Sequence, residues 1–354
     1  MSKRSSVIDT ARGIGIVLVV FGHNWIIAHD HGALFRVVFS FHMPLFFFLA
    51  GLFLRPTEGI NTFVSSRADS LLKPYFVVLG AWGVLRLIVA NIPVLPYFMG
   101  VLYGTGFTIE WVPLWFLPHL FVSLLLVLAL MKWATHFSSP RRFLAWSMLI
   151  CLLSGWYAMT WLQAQQWQDM QPWYAKLNHL TTEFPGLPWS LDLVGISAAF
   201  VLAGFLAREA VLAFRFHWRN TILVGAVFAA CHLLYGQTMD LHMREYGNPV
   251  ISSLQAVAGI YLSISLAAFI QRFESLSKGM MALGQASLFI LIFHSWIEWK
   301  VFGLLQHHGI GDDVAALIAL FLGVVLPALL WRYMSLFPWL AALLLPKKNK
   351  VSSS

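Results

Sequence analysis

Runs of about 20 consecutive, mostly apolar residues recur along the whole chain, the length an α-helix needs to cross the hydrocarbon core of a bilayer. In lipid only helices and closed barrels satisfy every backbone N–H and C=O. Barrel strands would be half as long and would alternate in polarity, so these runs predict helices. A mean hydropathy of +0.74, with 59% hydrophobic and 11% charged residues, excludes a soluble domain, in which about a quarter of positions carry charge. The expectation is an all-α integral membrane protein, a polytopic bundle of about ten transmembrane helices.

The candidate spans cover approximately 13–29, 33–54, 71–91, 112–132, 143–162, 190–207, 219–236, 249–270, 283–305 and 314–336. Short connections suit antiparallel neighbours. The longest connection, about 163–189, is rich in Gln, Trp and Pro and is expected to form a small cap. There is no internal repeat, and the one biased tract is a basic tail at about 346–354, so residues 1–354 read as a single domain.

A net charge of +8 would suit a nucleic-acid partner if the cations were clustered. They are not. Lys3/Arg4, Arg55/Arg67/Lys73, Lys132/Arg141/Arg142, Arg208/Arg215/Arg219, Arg272/Lys278 and Lys347/Lys348/Lys350 fall on one side when ten helices alternate. The opposite loops hold few cations (Lys176, Arg244, Lys300) and the acids Asp169, Glu183, Asp240, Asp312 and Asp313. The positive-inside rule then places both termini in the cytoplasm, with the lipid bilayer as partner and no nucleic acid. The first run is followed by Ala28-His29-Asp30-His31 rather than a small-residue cleavage site, so it reads as an uncleaved signal anchor. Cys151 and Cys231 lie inside apolar stretches, which argues against a disulfide and offers no basic neighbour to activate a thiol.

Ionisable residues inside spans are costly and usually functional. Arg12 precedes His23 by eleven residues, close to three helical turns and about 16 Å of rise, which puts both on one face. Arg12 lies near the cytoplasmic surface and His23 past the midplane. His42 lies at comparable depth in the second span, next to Pro44, whose missing donor is expected to open the helix locally. His294 is level with His23, and Glu298 follows one turn farther out. Trp115 and His119 share a face of the fourth span; with Asp192 and His232 these place polar groups in the outer half. Basic groups gather at the inner mouth. That asymmetry suits a phosphate-bearing donor entering from the cytoplasm and a polar acceptor entering from outside. Each residue also has a plainer reading. The histidines fit as hydrogen-bonded packing residues, Arg12 as a snorkelling topology signal, and Arg67 and Lys73 as ordinary loop cations. His119, His232 and Asp192 read as structural or pore-lining. Most Trp and Phe residues read as lipid-facing surface and interfacial belt, with Trp111 and Trp115 placed to stack on a sugar ring.

Two motifs carry a family resemblance. Asp9-Thr10-Ala11-Arg12-Gly13-Ile14-Gly15-Ile16, leading to Val19-Val20-Phe21-Gly22-His23, resembles the opening motif of the acyltransferase 3 family. Phe41-His42-Met43-Pro44-Leu45-Phe46-Phe47-Phe48-Leu49-Ala50-Gly51 is similar to its second motif, in the fucose 4-O-acetylase-like branch, with Ala50 where that pattern has serine. Arg67 with Pro74-Tyr75, Leu114-Trp115-Phe116-Leu117-Pro118, and Leu283-Gly284-Gln285-Ala286-Ser287-Leu288 before His294 follow in order.

The resemblance implies a bacterial inner-membrane O-acyltransferase that moves an acyl group, usually acetyl, from cytosolic acyl-CoA to a hydroxyl of a cell-envelope glycan or lipid-linked sugar. Chemistry supplies the roles. A sugar hydroxyl needs a general base, and neutral imidazole has a suitable pKa. His23 is assigned that role, with His42 polarising the thioester carbonyl or relaying the proton. Arg12, with Arg67 or Lys73, is assigned to the phosphates of acetyl-CoA. Trp115, His294 and Glu298 are assigned to the acceptor. Direct transfer and an acyl-histidine intermediate are both allowed. The rival reading is a proton-coupled transporter or flippase of a polar solute that uses the histidines as relays. A His-x4-Asp spacing at His307/Asp312 and His308/Asp313 lies in an outer loop and is discounted. No Gly-rich phosphate loop or metal-ligand motif is present, so no metal is expected.

Overall fold

The computed structural model describes residues 3–29, 32–90, 92–164, 185–236 and 239–346. Residues 165–184 of the expected cap, with Asp169, Lys176 and Glu183, and the tail lysines lie outside these. Among the described residues the regular structure is helical, apart from one isolated β-bridge between Asp240 and Glu245. Its helices are α1 (Lys3–His23), α2 (Trp25–Ala28), α3 (Ala33–Phe39), α4 (His42–Gly51), α5 (Ile60–Arg67), α6 (Lys73–Ala90), α7 (Val94–Tyr103) and α8 (Phe116–Ala134). There follow α9 (Pro140–Gln163), α10 (Val194–Leu212), α11 (Trp218–Leu234), α12 (Pro249–Ile270), α13 (Glu274–Gln285), α14 (Ser287–His307), α15 (Asp312–Tyr333) and α16 (Pro338–Leu344). Among the described residues nine helical segments are long and apolar enough to cross a membrane. The expected seventh span is α11, an apolar helix of 17 residues.

Four expectations about boundaries change. The first helix ends at His23 and restarts at Trp25, because Asn24 adopts an extended conformation and caps the next turn through Ile26 N–H. His23 therefore sits at the end of its helix and of its span rather than part-way along them. The second span breaks at Ser40–Phe41, ahead of Pro44. Proline at 44 cannot bond to the carbonyl of Ser40, so the ladder is lost one turn before it. The third span begins at Ile60, not 71, and passes through a π-helical turn at Ala68–Leu72. Arg67 and Lys73 are thus helical residues, not loop residues. The ninth expected span is two helices that part at Ala286.

Helix α1 is the hub. It packs against α3, α4, α12, α13, α14 and α15. Its tightest crossing is with α13, where an added Cβ on Gly13 would strike the carbonyl of Met280 and one on Gly284 would strike the carbonyl of Asp9. Small residues let helices approach backbone to backbone where no hydrophobic effect draws them together in lipid. A second layer, α8 and α9 against α10, packs onto α4 through α10.

Gly284→Val should destabilise the protein by about 1–3 kcal/mol through overpacking, read as a lower unfolding midpoint in detergent. Gly303, with nothing near its Cβ position, is the control. Equal behaviour of Gly284→Val and Gly303→Val would show that the α1–α13 contact is not tight.

Candidate active site

Arg12 and His23 lie on one unbroken helix, so their separation along its axis is about 16 Å. Between them runs a cavity of about 200 Å³, lined by Arg12, Ile16 and Val19 of α1. Met43 and Phe46 of α4 and Leu288 and Leu291 of α14 complete much of its wall, with Ser70 and Leu71 from the π-helical turn. The lining is apolar except for Arg12 and two serines, Ser70 and Ser287. It ends at Val19, Met43 and Leu291, one turn or less in sequence from His23, His42 and His294. Arg12 itself sits over the ring of Phe53, 5.4 Å from its centroid, and 3.8 Å from Asp9.

His23 keeps much of its surface free, with its ring held between those of His294 and Phe39. Part of the imidazole therefore borders open space. Its ring lies 5.5 Å from that of His294 and 6.0 Å, edge-on, from Phe39. Phe39 also meets His42 edge-on at 4.7 Å, so its ring contacts both histidines, and His294 is the imidazole in direct ring contact with His23. His42 Nδ1 lies 3.0 Å from the carbonyl of Val38, and His294 Nδ1 lies 2.8 and 3.1 Å from those of Ile290 and Leu291. A carbonyl can only accept, so Nδ1 carries the proton in both neutral rings and Nε2 is a lone pair. Neutral His42 consequently has no Nε2–H to polarise a carbonyl; of its two suggested roles only proton relay suits this tautomer. His294 Nε2 is buried without a partner.

Asn24 holds this end together. Its Nδ2 donates to Glu298 Oε1 at 2.7 Å and to the Ala316 carbonyl at 3.0 Å, which ties the α1 terminus to α14 and α15. Glu298 is buried, with Oε2 unpartnered. Trp115 is buried beside His119, ring to ring at 5.4 Å, and His119 Nδ1 lies 3.2 Å from the Trp189 carbonyl. Trp111 turns away: its indole donates to the Ile292 carbonyl at 2.6 Å, and it borders a separate groove with Trp82, Arg86, Trp296 and Lys300.

The two other cations behave differently from each other. Arg67 stacks on Phe63 at 5.1 Å, one turn before the cavity-lining Ser70, and its Nε is buried without a partner. Lys73 pairs with Asp69 at 2.8 Å and donates to the Leu345 carbonyl at 2.6 Å. It does not line the cavity; it fastens α16 to α6.

Residues 6–332 match the family model Acyl_transf_3, an acyltransferase domain. The chain belongs to the acyltransferase 3 family. No match is found among curated proteins or among solved structures. The matched region contains Arg12, His23, His42, Arg67, His294 and Glu298 together, and the protein is a multi-pass membrane acyltransferase.

Three parts of this acyltransferase escaped sequence reasoning. Asn24 follows His23 directly, and its neighbourhood was the one available signal. Asp192 and Arg244, 52 residues apart, form an ion pair with both side chains almost fully buried, Nε to Oδ2 3.1 Å. Arg244 also reaches the His242 carbonyl and Ser190 Oγ. His242, in the same loop, approaches Trp115, ring centroids 6.1 Å apart. Removing one partner of such a pair strands a buried charge, so Arg244→Ala should cost about 3–5 kcal/mol. A detergent unfolding series will register this, and a loss under about 1 kcal/mol would mean the pair is hydrated.

Proposed function

We propose that this protein is an O-acyltransferase, of acetyl groups in the first instance, carrying the group from cytosolic acyl-CoA to a hydroxyl of a cell-envelope glycan or lipid-linked sugar in a bacterial inner membrane. The observation that carries the reading is the passage itself. A guanidinium stands at one end, an apolar wall follows, and paired imidazoles lie just past the other end, all set by one helix. A thioester arm is long, thin and mostly uncharged behind its phosphates, which is the shape and polarity of that passage.

In this reading Arg12, with Arg67 one turn outside the cavity wall, holds the CoA phosphates through charge-assisted bonds. The acyl thioester reaches the space beside His23. His23 takes the proton of the acceptor hydroxyl as its oxygen attacks the thioester carbonyl. The C–S bond breaks, and the departing thiolate takes the proton from the imidazolium, leaving ester and free CoA. The Nε2 lone pair of His294 faces this site as a neutral acceptor that stabilises a proton on His23, and His42 stands behind Phe39 as a second one. Asn24 and Glu298 hold the α1 terminus against α14, and Trp115 contributes an aromatic wall on the acceptor's side.

The test is transfer of radiolabelled acetyl from acetyl-CoA to a glycan fraction in membrane vesicles. His23→Ala should abolish transfer with insertion intact, and near-normal transfer would remove His23 from the mechanism. Arg12→Ala should raise the apparent KM for acetyl-CoA about tenfold or more, the loss of one charge-assisted hydrogen bond. Lys73→Ala should leave that KM unchanged, because its contacts are to Asp69 and Leu345. An unchanged KM in Arg12→Ala would place donor binding elsewhere.

A further inference from the structure

Residues 239–246, between α11 and α12, form a tight turn at the His119 end of the bundle. Asp240 and Glu245 exchange backbone hydrogen bonds, both 2.8 Å. Asp240 Oδ1 accepts from the His242 N–H at 2.9 Å and the Met243 N–H at 3.2 Å. Met239, Leu241 and Tyr246 are buried. Arg244 has a left-handed φ of 60°, a conformation that costs about 1–3 kcal/mol in a non-glycine residue and persists only where surroundings impose it. Here the imposing contacts are Asp192, Ser190 and the ring of Phe107, over which the guanidinium lies at 5.2 Å.

This framework serves one side chain at the turn's tip. The His242 ring stacks on Phe107 at 4.7 Å and 28°. Its Nδ1 and Cε1 abut Gly106 so closely that no Cβ fits there, and Nδ1 is buried without a hydrogen-bond partner. A proton at Nδ1 would find no acceptor, whereas a lone pair there strands no donor. The neutral ring thus carries its proton on Nε2, on the other side from Gly106. Burial, then the Arg244 guanidinium and His23, hold the imidazole well below the usual histidine range, at about 3, so it stays neutral near pH 7. The imidazoles of this region then differ in kind: His42, His294 and His119 each spend Nδ1 on a carbonyl and keep an Nε2 lone pair. His242 presents a donor.

We propose that His242 binds the acceptor, donating from Nε2–H to an oxygen of a polyhydroxylated ring seated against Trp115, and that the 239–246 turn is the acceptor-recognition element of this acyltransferase. The inference rests on the acyl-transfer reading. One donor among several acceptors matches a sugar, whose hydroxyls donate and whose ring and neighbouring oxygens accept. Trp115, whose ring lies 6.1 Å from that of His242, is the aromatic side chain beside that donor.

The experiment compares two fates of labelled acetyl-CoA in vesicles: acetyl transferred to a glycan fraction extracted from the same cells, and acetate released by water. His242→Ala should lower the transfer-to-hydrolysis ratio about tenfold, the upper range for one neutral hydrogen bond, and raise the glycan concentration for half-maximal transfer. The KM for acetyl-CoA should not move. His242→Gln, which returns an N–H at similar reach, should restore most of the ratio. An unchanged ratio in His242→Ala, or equal loss of transfer and hydrolysis with no rescue by glutamine, overturns the inference. Wild-type vesicles that neither transfer nor hydrolyse would overturn the acyl-transfer reading, and this inference with it.

Discussion

The backbone contact between α1 and α13 is the constraint from which the site follows. With Gly13 and Gly284 in place the two helices meet without side chains between them, which fixes the position of α1 against the segment leading into α14. Because α1 is unbroken from Lys3 to His23, fixing its middle fixes both ends, Arg12 toward one and His23 at the other. Ala286 then breaks the chain so that α14 departs along a new axis carrying His294 to His23. One close crossing thereby sets a cavity with a cation at one end and imidazoles beyond the residues that close the other.

Protonation in the chamber is set locally. His42 and His294 each spend Nδ1 on a carbonyl four residues earlier, a contact that helical geometry makes available to a histidine with the right rotamer. Each such bond costs the ring nothing in burial and commits its other nitrogen to accepting. His23 has no such bond in its own helix and keeps accessible surface, which separates it chemically from its neighbours despite the shared residue type. The π-helical turn at Ala68–Leu72 contributes in another way, placing Ser70 and Leu71 on the cavity wall. π-turns inside helices frequently mark functional sites for this reason.

The two mouths differ in how they are held. At the Arg12 end the polar contacts are part-exposed, as in Lys73 with Asp69 and Leu345. At the other end the Asp192–Arg244 pair is buried, and strained backbone at Trp189, Ser190 and Arg244 surrounds it. A buried pair is a weak source of net stability but a strong constraint on geometry, since breaking it is costly.

How much of this was legible beforehand follows from which interactions are local. The membrane class, the spans and the Arg12–His23 face came from apolar run length and the helical repeat, because the bilayer imposes both on any chain that crosses it. The motif around His42 was visible, yet the break at Ser40–Phe41 fell ahead of Pro44, and the boundary at Ile60 was hidden by a polar opening turn. Arg67 and Lys73 looked equivalent as cations in one stretch; packing set one beside the cavity and tied the other to α16. Arg244 and Asp240 looked like sparse loop charges, since nothing in a sequence reveals that residue 192 lies against residue 244. The sequence alone determined that the chain spans a membrane and that a guanidinium and an imidazole share a helical face, because both follow from short-range periodicity. Only the tertiary structure decided which histidines meet and which cation lines the cavity, because those depend on contacts between residues tens to hundreds of positions apart.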